Sequence, residues 1–203
     1  MPESPRRDRP GGTSSWTAFA DFLGCLIATA AWAACALPRF LTHLRDAHDA
    51  QFLTWEIAWV RHAITHAPTH VFDANTFAPA RNALAFTEPL IGYGILGLPL
   101  GLAGLAHAGV TNVLCLLGIA FSVWAISRLA VSHGVPRLPA LLGAAAAALG
   151  AQSACAFGYV SFVVGGGIAL VLVAWKRLRE SRRWRVAFAL GAAIAALGWF
   201  SLH

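Results

Sequence analysis

The chain has 203 residues, of which 58% are hydrophobic and only 12% are charged, and its mean hydropathy is +0.63. A soluble globular domain carries about 25% charged residues, so these values exclude a water-soluble enzyme with one large core and indicate an integral membrane protein. The net charge of +6 does not imply a nucleic-acid partner, because the basic residues fall in short runs beside apolar segments, which is how membrane orientation is encoded.

In chain order, residues 1–15 are rich in Pro, Gly, Ser and Arg and read as a disordered basic tail. Trp16 to Leu37 is the first apolar segment and is long enough to cross a bilayer. Arg6, Arg7 and Arg9 ahead of it, with Ala34-Cys35-Ala36 near its end, also fit a signal peptide. Against that, the apolar run is longer than an ordinary signal core, and the following chain is itself membrane-embedded. Four more strong apolar segments follow, at about 111–130, 138–154, 157–175 and 186–202. Pro89 to Ala106 is a weaker sixth, with five glycines and two prolines. Cys25, Cys35, Cys115 and Cys155 all lie in apolar stretches without metal-ligand spacing, so they read as small buried hydrophobes rather than as disulfides or a zinc site.

The basic residues decide how these segments are threaded. If all six cross and the tail is cytoplasmic, twelve Lys+Arg face outward and three inward, against the positive-inside bias. If 89–106 lies along the outer surface, eleven fall inside and only Arg39, Arg45, Arg61 and Arg81 outside. The expected fold is therefore all-α: a polytopic transmembrane helix bundle of about five crossings over residues 16–203. One long external loop, about 38–110, carries interfacial helices.

That loop gathers five of the eight histidines and four of the nine acids between positions 43 and 73. Within it, Gln51 to Thr65 has a helical period: Phe52, Trp55, Trp59 and Ala63 form an aromatic face, with Glu56 and Arg61 largely away from it. Tryptophan suits the membrane–water boundary, where its ring is buried and its N–H is wet. Packing of the same stripe on the bundle is the other reading. Asp49 stands just before the helix, where a carboxylate can cap the free N–H groups of the first turn or serve as an acid or base. Pro68 ends the helix, and Asp73, Asn75, Pro79 and Arg81 follow in a turn-rich loop. Glu88 precedes Pro89 at the next helix start. His62 and His66 share a face, but there is no HExxH and no metal is expected. Asn112, Gln152, Ser153, Tyr159 and Ser161 sit near segment ends, where water is expected to reach them. "VVGGGIAL" reads as a close-packing helix face rather than a phosphate loop.

The stretches "HDAQFLTWEIAWVRHAI", "FDANTFAP", "LAFTEPLIGYGILGLPL" and "TNVLCLLGIAFSVWAISRLA" together resemble the N-terminal module of the GT-C superfamily of polytopic membrane glycosyltransferases, in its bacterial branch. The resemblance spans most of residues 16–175. It implies an inverting enzyme of the bacterial inner membrane, with a cytoplasmic N-terminus and a periplasmic or extracellular active loop. Such an enzyme transfers a sugar from a polyprenyl-phosphate donor to a lipid or glycan acceptor. The resemblance carries the catalytic base to Asp49 and a second acid to Glu88. Arg81, Asn75 and His48 are the candidate substrate-binding residues, with Arg81 suited to a donor phosphate through a bidentate pair. No organic cofactor is implied, and a divalent cation is compatible with the chemistry. Members are usually longer, so a chain ending at "GWFSLH" is expected to be the front part of a larger transferase. The alternatives are a non-catalytic membrane scaffold, a transporter component or an inactive fragment.

Overall fold

The computed structural model describes residues 15–36, 39–44, 49–76, 79–87, 90–150 and 162–200. Among them are seven α-helices and no strand: α1 (Ser15–Ala36), α2 (Asp49–His66), α3 (Ile91–Leu102), α4 (His107–Ser132), α5 (Arg137–Leu149), α6 (Phe162–Ser181) and α7 (Trp184–Phe200). The expected all-α class is observed. Two helices are long and apolar enough to cross a membrane, over Trp16–Cys35 and His107–Ser132. At ~1.5 Å per residue α4 spans roughly 39 Å, more than the ~30 Å hydrocarbon core.

The central helix is α4. Its interior positions include Val110, Leu114, Cys115, Ile119, Ala120, Val123 and Ala125, all at most 3% exposed. Helix α4 is apolar almost all round because other helices cover it on several sides, and a helix covered on several sides needs no polar stripe. Its neighbours fix the threading. Asn112, near the start of α4, donates to the carbonyls of Phe40 and His43, just past the end of α1. The Trp124 indole, twelve residues on, donates to Ala18 O near the start of α1 (3.2 Å). Helices α1 and α4 are therefore antiparallel.

On the other side α6 runs parallel to α4. Gly166 packs on Phe121 and Ser122, while ten residues later the Lys176 amine donates to Ser132 O. Helix α7 returns beside α6, with Leu197 against Gly167, and ends with Phe200 edge-on to Tyr93 of α3 (5.0 Å between ring centroids). The bundle so defined has two unlike ends. At one end, hereafter the basic end, Arg137 donates to both Asp21 oxygens (2.5 and 2.7 Å) and Arg128 lies 3.8 Å from the same carboxylate. At the other, the loop end, α2 and α3 are held between the end of α1 and the start of α4.

The segment 89–106 forms α3 over Ile91–Leu102 only. The tie between Asn112 and residues 40–43 shows that the chain returns to the level at which it left α1. Asn112 itself corrects one expectation. It is 2% exposed rather than open to water, because its amide satisfies the two carbonyls where α1 ends. The tail 1–14 and Gln152, Ser153, Cys155, Tyr159 and Ser161 lie outside the described residues.

Candidate functional site at the loop end

Helix α2 is one turn longer than its aromatic period suggested, and Asp49 is its first residue rather than the residue ahead of it. Its carboxylate is exposed and lies in the first turn, at the positive end of the helix dipole. An exposed carboxylate there can accept a proton from an approaching hydroxyl.

Two faces of α2 are covered, not one. The aromatic face meets the segment that follows the helix. The Trp59 indole donates to Val71 O (2.8 Å), and Val60, Ala74 and Leu84 form a small core with Trp55, Trp59, Ile64 and Val71 around it. Phe52 stacks on Trp55 (5.8 Å) and remains 40% exposed. The stripe is thus divided: its middle packs on protein and its leading edge faces outward.

The opposite face meets α3, and Arg61, expected away from the aromatic face, lies on that side. Glu56 is fully buried. Arg61 is partly buried, with its Nε and Nη1 enclosed and no hydrogen-bond partner for them among the described residues. Removal from water lowers its pKa, although a guanidinium stays charged. The room for it comes from α3. Gly94 lies against Val60, Gly97 against the Arg61 Cδ, and Gly101 against the Arg61 guanidinium. A side chain at Gly94 or Gly101 would occupy the space that Val60 or Arg61 fills. The spacing Gly94-Gly97-Gly101 leaves room for a large side chain across α3, and it can be read so only once α2 is known to pack there.

The turn-rich loop is organised by Asp73. Its Oδ1 accepts the Asn82 backbone N–H (2.9 Å) and its Oδ2 pairs with His70 Nδ1 (2.9 Å). These contacts, chiefly the Asn82 amide, hold its carboxyl below the ordinary value. Asn82 is left-handed (φ 55°), a conformation asparagine tolerates better than most residues, and Leu84 N–H closes the loop on Phe72 O (3.0 Å). Asn75 and Arg81 project from this clip and are exposed. Asp49 lies about 15 Å along the α2 axis from Trp59, which anchors the clip, at ~1.5 Å per residue. His48 and Glu88 lie outside the described residues.

His62 and His66 stack face to face (4.4 Å) on the exposed side of α2. Among the described residues no group of three or more His, Cys, Asp or Glu is arranged to hold a metal ion. Two clefts lined by described residues lie at the basic end. One is between α4 and α6; the other is beside Asp21, Arg128 and Arg137. Comparison of the chain with protein-family models, with curated proteins and with solved structures gives no match.

Proposed function

We propose that this chain is the membrane module of a GT-C-like inverting glycosyltransferase, acting on the outer face of a bacterial inner membrane. Helices α1, α4, α5, α6 and α7 are its five crossings, and the basic end is cytoplasmic. The observation that carries the proposal is the placement of Asp49. It is an exposed acid in the first turn of an aromatic-faced helix, within a segment whose two ends are tied at the end of the bundle opposite the arginines.

In this reading the acceptor hydroxyl attacks the anomeric carbon of a polyprenyl-phosphate-linked sugar. The hydroxyl proton passes to the Asp49 carboxylate and the polyprenyl phosphate departs. A donor held in the bilayer fits an exposed acid on a helix that also carries Phe52 and Trp55 better than an acid in an aqueous cleft. Glu88 is the second acid, Arg81 pairs with the donor phosphate, and Asn75 and His48 contact substrate.

The test is Asp49→Asn in the full-length protein, assayed as transfer of a labelled sugar from a polyprenyl-phosphate donor in isolated membranes. Loss of a general base removes roughly 10²–10⁴-fold in rate, and the variant keeps the same length and helix start. Undiminished transfer overturns the assignment. In a scaffold, the same change costs only the helix-end interaction of about 1 kcal/mol or less.

A further inference from the structure

At the basic end, a cleft of about 580 Å³ opens between the last turns of α4 and α6, lined by Leu129, His133, Leu172, Trp175, Lys176, Arg179 and the single acid Glu180. The order of these residues is informative. On α6, positions 172, 175, 176 and 179 share one stripe, as residues three and four apart do, and along that stripe the side chains change from leucine through tryptophan to lysine and arginine. On the facing wall, Leu129 of α4 is followed four residues on by His133, just past the helix end, so that wall changes from apolar to polar in the same direction. Both walls are therefore apolar toward the middle of the bundle and polar at its end, where Lys176 and Arg179 carry positive charge, over ~10 Å of helix axis at ~1.5 Å per residue.

The cleft also has a fixed frame. The Lys176 amine donates to Ser132 O, the last carbonyl region of α4, and His133 Nδ1 lies 3.0 Å from Leu129 O. Trp175 and Leu172 are about half exposed (51% and 47%), so the apolar wall is open from the side. Arg177, Arg182, Arg183 and Arg185 follow in the same stretch, and Arg185 lies over the Trp184 ring (5.7 Å). An aqueous metabolite has no use for a laterally open leucine and tryptophan wall. An amphiphile that enters from the bilayer with its anionic head toward the cations matches both walls.

We propose that this cleft is a binding site for one anionic glycerophospholipid of the inner leaflet. Its phosphate lies among Lys176, Arg179 and His133, and its acyl chain lies along Leu129, Leu172 and Trp175. Basic pockets between membrane helices on the cytoplasmic side hold anionic headgroups in this manner. The inference rests on the membrane placement of the bundle and is independent of the transferase reading.

The experiment is native mass spectrometry of the full chain in neutral detergent, titrated with phosphatidylglycerol and, separately, with phosphatidylcholine. One phosphatidylglycerol is expected to be retained in preference to phosphatidylcholine. Lys176→Gln with Arg179→Gln is expected to lower that affinity roughly thirty-fold. Arg182→Gln with Arg183→Gln, which removes the same charge outside the cleft, leaves it within about threefold. Because Lys176 also ties α4, Arg179→Gln alone is the second variant; it keeps that tie and is expected to lose roughly fivefold. Equal losses in the cleft and control pairs, no loss in Arg179→Gln, or equal retention of phosphatidylcholine overturns the site. Displacement of the lipid by millimolar inorganic phosphate overturns the lipid assignment in favour of a free anion.

Discussion

Asn112 and Phe40 are 72 positions apart and are joined by a 2.6 Å hydrogen bond, with a second from the same amide to His43 O at 2.8 Å. One side chain thereby closes the whole intervening segment at a single level of the bundle. Asn112→Ala leaves two partly buried carbonyls without that donor. The expected cost is about 1–3 kcal/mol, read as a lowered midpoint of thermal unfolding in detergent. A midpoint equal to wild type contradicts the assigned role.

The same closure predicts a topology result. Ala106 is exposed between α3 and α4. Ala106→Cys, in a background with Cys25, Cys35, Cys115 and Cys155 replaced by alanine, is expected to react with an impermeant thiol reagent added outside intact cells. Labelling only after the cytoplasmic side is opened would mean that α3 crosses.

The α2–α3 contact is steric and separable into two kinds. Val60 is stiff at χ1 and fully buried, so Gly94→Ala, which places a methyl against it, is expected to destabilise by about 1–3 kcal/mol. Gly101→Ala meets the end of the Arg61 side chain instead. Its effect is expected to shrink in an Arg61→Leu background, with a coupling energy of about 0.5–3 kcal/mol in a double-mutant cycle. Additivity of the two changes would show that they do not share space.

The Asp73 clip gives a pH dependence. Its folded pKa lies below the ordinary 3.8, first because of the Asn82 amide and then because of His70. A depressed carboxylate stabilises the loop fully above its unfolded pKa, about 3.9, and the contribution fades as pH falls through the lower folded value. Protection of the Asn82 and Leu84 amides, taken as the exchange rate relative to the intrinsic rate at each pH, is therefore expected to hold from neutrality to about pH 4 and to fall below it. In Asp73→Asn protection is expected to be low throughout. Identical exchange in the variant and wild type would remove Asp73 from the clip.

Several of these relationships were legible in the sequence. Hydropathy located α1 and α4, and the aromatic period found α2 within one turn at its start. The burial of Glu56 and Arg61 was not legible, because a single helical period reports one covered face while α2 is enclosed on two. The second cover comes from Gly94, Gly97 and Gly101 on α3, whose spacing has meaning only once the two helices are known to pair. Asn112 was misjudged for a related reason. Its position near a helix end suggested water, but the end of α1 occupies that place.

The tie at Asn112 also makes residues 40–106 a cassette. Because the segment leaves and rejoins the bundle at one level, lengthening, shortening or exchanging it does not reverse the direction of any later helix. The loop end can therefore change in length while the threading of the later helices, and with it the register of the basic end, is kept.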